Sequence, residues 1–120
     1  MDAFNDFCSL VKKYSQDVDF IVVYTLEAHP TDEWYFTGSQ FDIKQARCLE
    51  ERIETSKFLF EIGLPCPLLV DSMDNDITRA FDAFPERFCA LLNGRVTFLG
   101  GPGPYQYDIK ELDRWLAKHV

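Results

Sequence analysis

Phe4, Phe7, Cys8 and Val11 recur at i, i+3, i+4 and i+7, a period that predicts an amphipathic helix ending near Tyr14. An unbroken apolar run follows, Phe20-Ile-Val-Val-Tyr24. Its β-branched residues and lack of polar alternation predict a strand buried on both faces, as in a parallel sheet covered by helices. From Leu26 to Phe41 no period persists, and Pro30, Thr31, Asp32, Gly38 and Ser39 predict a long loop. Leu49, Ile53, Ser56 and Phe60 form one stripe, predicting a single helix from Ile43 to Ile62 with Asp42 as its N-cap and Gly63 just past its end. Pro67 to Val70 reads as a short buried strand that stops at Asp71, and Asp76 to Phe81 as a short helix. Phe88 to Leu92 and Arg95 to Leu99 are apolar runs joined by Asn93-Gly94, two residues that tolerate positive φ, so a β-hairpin is expected. After a tight loop bearing Pro102 and Pro104, Asp108 with Glu111 makes a capping-box-like start to a last helix carrying Ile109, Leu112, Trp115 and Leu116.

The predicted order is helix, strand, loop, helix, strand, helix, strand, strand, helix. Parallel crossovers followed by a terminal hairpin and helix resemble a thioredoxin-like α/β fold with the extra strand-helix insertion of its peroxidase relatives. That architecture places a cis-proline before the hairpin strand, facing the site, and Phe84-Pro85 occupies the position. It also begins with a central strand that carries the active-site residue, and here no strand precedes the first helix. Such a strand buries four or five apolar side chains, a gross loss of about 10 kcal/mol against a whole-domain stability of about 5 to 15 kcal/mol.

Composition narrows the function classes. A chain of 120 residues, 47% hydrophobic and 15% aromatic, is long enough for one domain with a real core, and residues 1–120 are expected to form that single, N-terminally incomplete domain. Twenty acidic against 12 basic residues give a net charge of -8, with no Lys/Arg cluster to neutralise phosphates, so nucleic acid is not an expected partner. The apolar runs fall far short of the roughly 20 residues a membrane helix needs, and MDAFNDF lacks the features of a signal peptide. Cys8, Cys48, Cys66 and Cys89 are widely separated, and with only His29 and His119 they form no metal-ligand spacing, so neither a metal nor a bound cofactor is expected. Their default reading is reduced, mostly buried thiols.

The candidate chemistry lies in YTLEAHPTDEW, residues 24 to 34, where an apolar strand opens into a polar loop holding Glu27, His29, Asp32 and Trp34. Strand ends of α/β sheets are where such proteins place ligands. An ordinary solvated acidic loop explains the same residues.

The stretches KYSQDVDFIVVYTLEAHPTDEW, LEERIETSKFL, CPLLVDSMDN, AFPERFCALLNGRVTFLGG and GPYQYDIKELDRWL resemble the iodothyronine deiodinases, most closely the inner-ring (type 3) branch. They span nearly the whole chain in the family order. The resemblance implies a selenoprotein oxidoreductase, dimeric, using a thiol reductant as co-substrate to remove iodide from thyroxine or triiodothyronine. The family carries a Ser-Cys-Thr-selenocysteine-Pro motif just before its first helix, and full-length members are anchored by an N-terminal membrane segment. Because selenocysteine is encoded by UGA, Met1 is expected to follow that codon in a longer reading frame.

By the same resemblance, Tyr24 and His29 act beside the substrate, His29 in proton delivery, a task suited to a group titrating near neutral pH. Glu86, after Pro85, has a role in substrate binding or proton relay, or else pairs with an Arg such as Arg87. Pro85 faces the ligand; Trp34 packs the loop onto the core before it serves as an aromatic wall for the ligand, and Glu27 and Asp32 read first as N-cap and loop solvation and only then as orienters of His29. Cys66 matches a cysteine that helps return oxidised selenium to its reduced state, while on its own it has no resolving partner. Two positions depart from the family pattern. Ala46 replaces a His, and Pro102 replaces an Arg suited to a carboxylate or phenolate, so another halogenated phenol is an alternative substrate. None of the four cysteines takes the selenium position, so the 120 residues by themselves are not expected to turn over. The alternative is a non-catalytic thioredoxin-like binding or dimerisation module, with a peroxiredoxin-like peroxidase ranked third.

Overall fold

The structure is a computed structural model that describes residues 2–25, 45–83, 86–101, 103 and 108–120. Its elements are α1 (Asp2–Tyr14), β1 (Val22–Tyr24), α2 (Leu49–Ser56), α3 (Phe58–Glu61), β2 (Leu68–Val70), α4 (Asp76–Phe81), β3 (Cys89–Leu92), β4 (Arg95–Leu99) and α5 (Ile109–His119). The chain is mixed α/β. Among the described residues the strands form two separate two-stranded sheets: β1 pairs with β2 in parallel, and β3 with β4 antiparallel.

The apolar core lies between α1 and α5, where Leu10, Tyr14, Leu112 and Leu116 are buried against one another. Val18, Phe20, Phe88, Phe98, Ile109 and Trp115 pack around them. Phe20 leads into β1 and Phe88 into β3, so both sheets are anchored on this one cluster. The Tyr14 hydroxyl donates to Asp113 Oδ1 at 3.1 Å, which satisfies a buried phenol without breaking the contact between the helices. At the start of α5 the Asp108 side chain accepts from the Lys110 N–H at 2.9 Å, the N-cap expected from the sequence.

The hairpin forms as expected, with Asn93 at φ 53 and Gly94 at φ 76 supplying the left-handed pair that a tight turn needs. Its register runs Cys89↔Leu99, Ala90↔Phe98, Leu91↔Val96 and Leu92↔Arg95, so Thr97 is an extra residue bulged out of β4. The hairpin is not covered on both sides, and Leu91, Leu92, Val96 and Leu99 are exposed.

Two sequence expectations are corrected. The strand over Phe20 to Tyr24 contracts to Val22–Tyr24 and is half-buried rather than buried on both faces, with Ile21 56% exposed. Among the described residues β2 alone lies beside it, a pair too narrow to cover both faces. The helix expected from Ile43 to Ile62 begins only at Leu49, after the extended Cys48. Glu51 reaches back to accept from the Arg47 N–H at 2.8 Å and from its guanidinium at 2.9 Å, which fixes the start of α2 there, while the expected N-cap Asp42 lies outside the described residues. The same helix tightens after Ser56. The Ser56 hydroxyl donates to the Ile53 carbonyl at 2.7 Å, the acceptor that the Lys57 N–H takes in a regular helix, and Lys57 bonds Glu54 instead. The expected apolar stripe is also displaced: Leu49, Ile53 and Phe60 are exposed, and the inward residues are Arg52 and Ser56.

Candidate active site

β1 and β2 place the first candidate residues. The register Val22↔Leu68, Val23↔Leu69, Tyr24↔Val70 puts Tyr24 at the C-terminal end of the parallel pair, where its ring meets Phe58 edge-on with centroids 6.4 Å apart. The Tyr24 carbonyl accepts from the Asp71 N–H at 2.8 Å, which carries the ladder into the turn that follows. Cys66 precedes β2, and its neighbour Pro67 offers a carbonyl to the Val22 N–H at 3.0 Å. Tyr24 and Cys66 are therefore at opposite ends of the pair, separated by four residues of extended chain, about 13 Å. The structure does not bring them together.

The turn beyond Val70 holds a polar cluster that the sequence pattern did not single out. Asp71 and Arg52 are each 1% exposed. The Asp71 carboxylate accepts from the N–H groups of Ser72, Ile77 and Thr78 and from the Thr78 hydroxyl, at 2.8 to 2.9 Å, and so caps α4 from outside the helix. Burial alone raises an acid's pKa, but these four donors outweigh it and hold the Asp71 carboxyl below its ordinary value. Arg52 donates to the Ser72 carbonyl at 2.8 Å and to Asn75 Oδ1 at 3.3 Å, tying α2 to the same turn. Asn75 itself sits at φ 60, a left-handed position that Asn tolerates. The signal available in the sequence was an Arg at the fourth residue of a helix whose next inward position is Ser56, facing a strand that ends in Asp71.

Glu86 precedes β3. Its carbonyl accepts from the Gly103 N–H at 2.8 Å, and its side chain lies over Gly103 so closely that a Cβ there would overlap the carboxyl. Arg87 follows Glu86 in the chain. It donates to the carbonyls of Gly100 at 2.6 Å and Phe81 at 3.1 Å, joining the end of α4 to the end of β4.

Burial pushes the Cys66 thiol above its ordinary pKa, with a smaller push from Cys8, and burial does the same to Cys89. Ala46 is buried before α2, outside the helix. His29, Trp34, Pro85 and Pro102, with Glu27 and Asp32, lie outside the described residues. Among the described residues no group of three or more His, Cys, Asp and Glu could hold a metal ion, and no helix is long and apolar enough to cross a membrane.

The iodothyronine deiodinase family pattern matches residues 1–120, the whole chain. The chain belongs to the iodothyronine deiodinase family. It is similar to the thyroxine 5-deiodinases of sheep and human, each 39% identical over 113 residues, and of chicken, 34% identical over 119 residues. These alignments cover 94%, 94% and 99% of this deiodinase-family chain and 39%, 37% and 46% of the respective relatives, so the chain spans less than half the length of the curated relatives it matches.

Proposed function

We propose that this chain supplies the scaffold and one wall of the site of an iodothyronine deiodinase-like oxidoreductase, acting in thyroid hormone metabolism by reductive removal of iodide from thyroxine or triiodothyronine. The observation that carries the reading is the family match over residues 1–120, with thyroxine 5-deiodinases 34 to 39% identical over nearly all of the chain.

In this reading residues 1–120 are a single thioredoxin-like domain. The parallel β1–β2 pair and the β3–β4 hairpin, both anchored on the α1–α5 core, are the two halves of its sheet, and the strand that carries selenium lies between them. Tyr24 stands at the C-terminal end of a parallel strand, the end where α/β sheets receive ligands. It contacts the phenolic ring while His29, five residues on, delivers the proton that replaces iodine on the ring carbon. Trp34 and Pro85 wall the ligand, and Glu86, held across Gly103, orients it or relays the proton. The selenolate that takes the iodine is not among the 120 residues. An external thiol restores it; for Cys66 to share in that step it has to act from the far end of β1–β2.

The test is to read the gene upstream of the Met1 codon, and to express the frame that begins before it with cysteine at any in-frame TGA. Iodide release from thyroxine with a dithiol reductant is expected, falling by about 10²- to 10⁴-fold in His29→Ala. Absence of a TGA preceded by Ser-Cys-Thr-like codons, together with no iodide release, overturns the proposal.

A second reading, a non-catalytic association module, is favoured by one observation: Leu91, Leu92, Val96 and Leu99 on the hairpin, Leu69 in β2 and Ile21 just before β1 are each exposed. It expects a homodimer, measured by sedimentation, without turnover in the longer frame.

A further inference from the structure

Helix α4 ends on a left-handed residue that is not glycine. Asp82 sits at φ 50, its N–H reaching the Arg79 carbonyl at 3.4 Å and the next N–H, of Ala83, the Thr78 carbonyl at 2.9 Å, the pair of bonds that closes a helix on such a residue. The carbonyls of Phe81 and Asp82 need donors from elsewhere. Both find Arg87 Nη1, at 3.1 and 3.3 Å. The same guanidinium donates through Nε to the Gly100 carbonyl at 2.6 Å, and the Arg87 side chain is only 16% exposed. One side chain therefore ties the chain on both sides of Glu86, back to α4 and across to the end of β4. Two backbone bonds continue the hairpin beyond its ladder, from the Gly100 N–H to the Phe88 carbonyl at 2.9 Å and from the Gly103 N–H to the Glu86 carbonyl at 2.8 Å. The Glu86 carboxyl lies over Gly103, where only a residue without a Cβ leaves it room.

We propose that Arg87 is a positioning residue, whose bonds to Phe81, Asp82 and Gly100 hold Glu86 at the place from which its carboxylate meets the substrate. The inference rests on the deiodinase reading, in which Glu86 orients the ligand or relays a proton, and Arg87 acts only through it. The role needs a guanidinium. Its acceptors come from two elements, and a planar group with donors at both Nε and Nη1 reaches both at once. A lysine brings the same charge on one nitrogen at the end of a flexible stem, and holds one side at the expense of the other. Either loss frees the segment that carries Glu86, and a reacting group misplaced by about 1 Å costs up to about 10²-fold in rate.

The test is a double-variant cycle on iodide release from thyroxine, in the frame that begins before Met1 with cysteine at any in-frame TGA. Arg87→Lys is expected to lower kcat/KM about 10- to 100-fold. With Glu86→Gln already present it is expected to change little, because the carboxylate it positions is gone. A role in stability alone lowers the rate by the same factor in both backgrounds, and that result overturns the proposal. Amide hydrogen exchange separates this failure from failure of the deiodinase reading. In Arg87→Lys the Gly103 N–H is expected to exchange faster by a larger factor than the amides of α5, whereas an equal factor overturns the proposal whether or not iodide is released. No iodide release from the unchanged frame, with Gly103 loosened as expected, overturns the deiodinase reading and the catalytic half of the proposal with it. Where Arg87→Lys fails to fold, the unchanged chain decides: a slowly exchanging Arg87 Nε–H is expected, and a rapidly exchanging one overturns the proposal.

Discussion

The two ends of the molecule are held by different physics. Where α1 and α5 meet, Leu10, Leu112 and Leu116 are sealed by aromatic rings, and the Tyr14 hydroxyl is answered by Asp113. Where α2 meets the β2–α4 turn, the most buried side chains are Arg52, Asp71 and Ser56, and the apolar residues Leu49, Ile53 and Phe60 face outward. The first region gains from area removed from water, which is nearly indifferent to angle. The second depends on direction. Its buried charge is tolerable only while the Asp71 carboxylate keeps its four donors and Arg52 keeps its carbonyl acceptors.

Variants that strike the two regions separately sharpen this contrast. Asp71→Ala strips the acceptor from the N–H groups of Ile77 and Thr78 and from the Thr78 hydroxyl, all at one buried point. A loss of about 4 kcal/mol in a urea melt is expected. Leu116→Ala, in the apolar region, is expected to cost about 3 kcal/mol by the same measurement, and Leu116→Met less than about 1.5 kcal/mol, since the apolar core accepts a change of shape. If Asp71→Asn were as mild as Leu116→Met, the distinction between directional and non-directional packing would not hold.

Acid separates the regions without mutation. The folded-state pKa of Asp71 lies below its ordinary value of 3.8, so its contribution is fully present above that value and is lost as pH falls through the lower folded-state value. Melts followed between neutral pH and pH about 2 should show this loss in the parent chain and not in Asp71→Ala, whereas Leu116→Ala should keep the parent's acid slope. Smaller effects test the parts outside both regions. Gly103→Ala is expected to cost about 1 to 3 kcal/mol in a urea melt by driving the new methyl into Glu86. Asp108→Ala removes the N-cap of α5 and is expected to cost about 1 kcal/mol.

The sequence made legible the features that rest on local pattern. Asn93-Gly94 named the turn and its conformation, Asp108 named the start of α5, and Gly63 at φ 98 ends the helical stretch where glycine was expected to. What periodicity could not show was the pull of side chains on backbone. Glu51 taking the Arg47 N–H set a helix start six residues later than the expected Ile43, and the Ser56 hydroxyl broke the regular bonding beyond it. The stripe itself misled because it was read as the inward face, when a buried Arg52 held by carbonyl oxygens had already claimed that side. For the candidate site, the end of β1 was readable from an apolar strand opening into polar chain, and Tyr24 lies at that end. The placing of Cys66 at the other end follows only from the parallel register, which depends on Pro67 finding Val22, a pairing no local pattern encodes.

The hairpin turn has a further consequence, in time rather than in space. Strands β3 and β4 are joined by two residues already disposed to the left-handed conformation, so their ladder can close within about 1 to 10 microseconds of collapse. The parallel β1–β2 ladder must first bring together Tyr24 and Val70 across the whole of α2 and α3, and it pays that loop entropy before any bond rewards it. Phe88 and Phe98 are therefore in position early, and the landing place for Phe20, and with it the edge on which β1 and then β2 assemble, is prepared by the part of the chain that comes last in sequence.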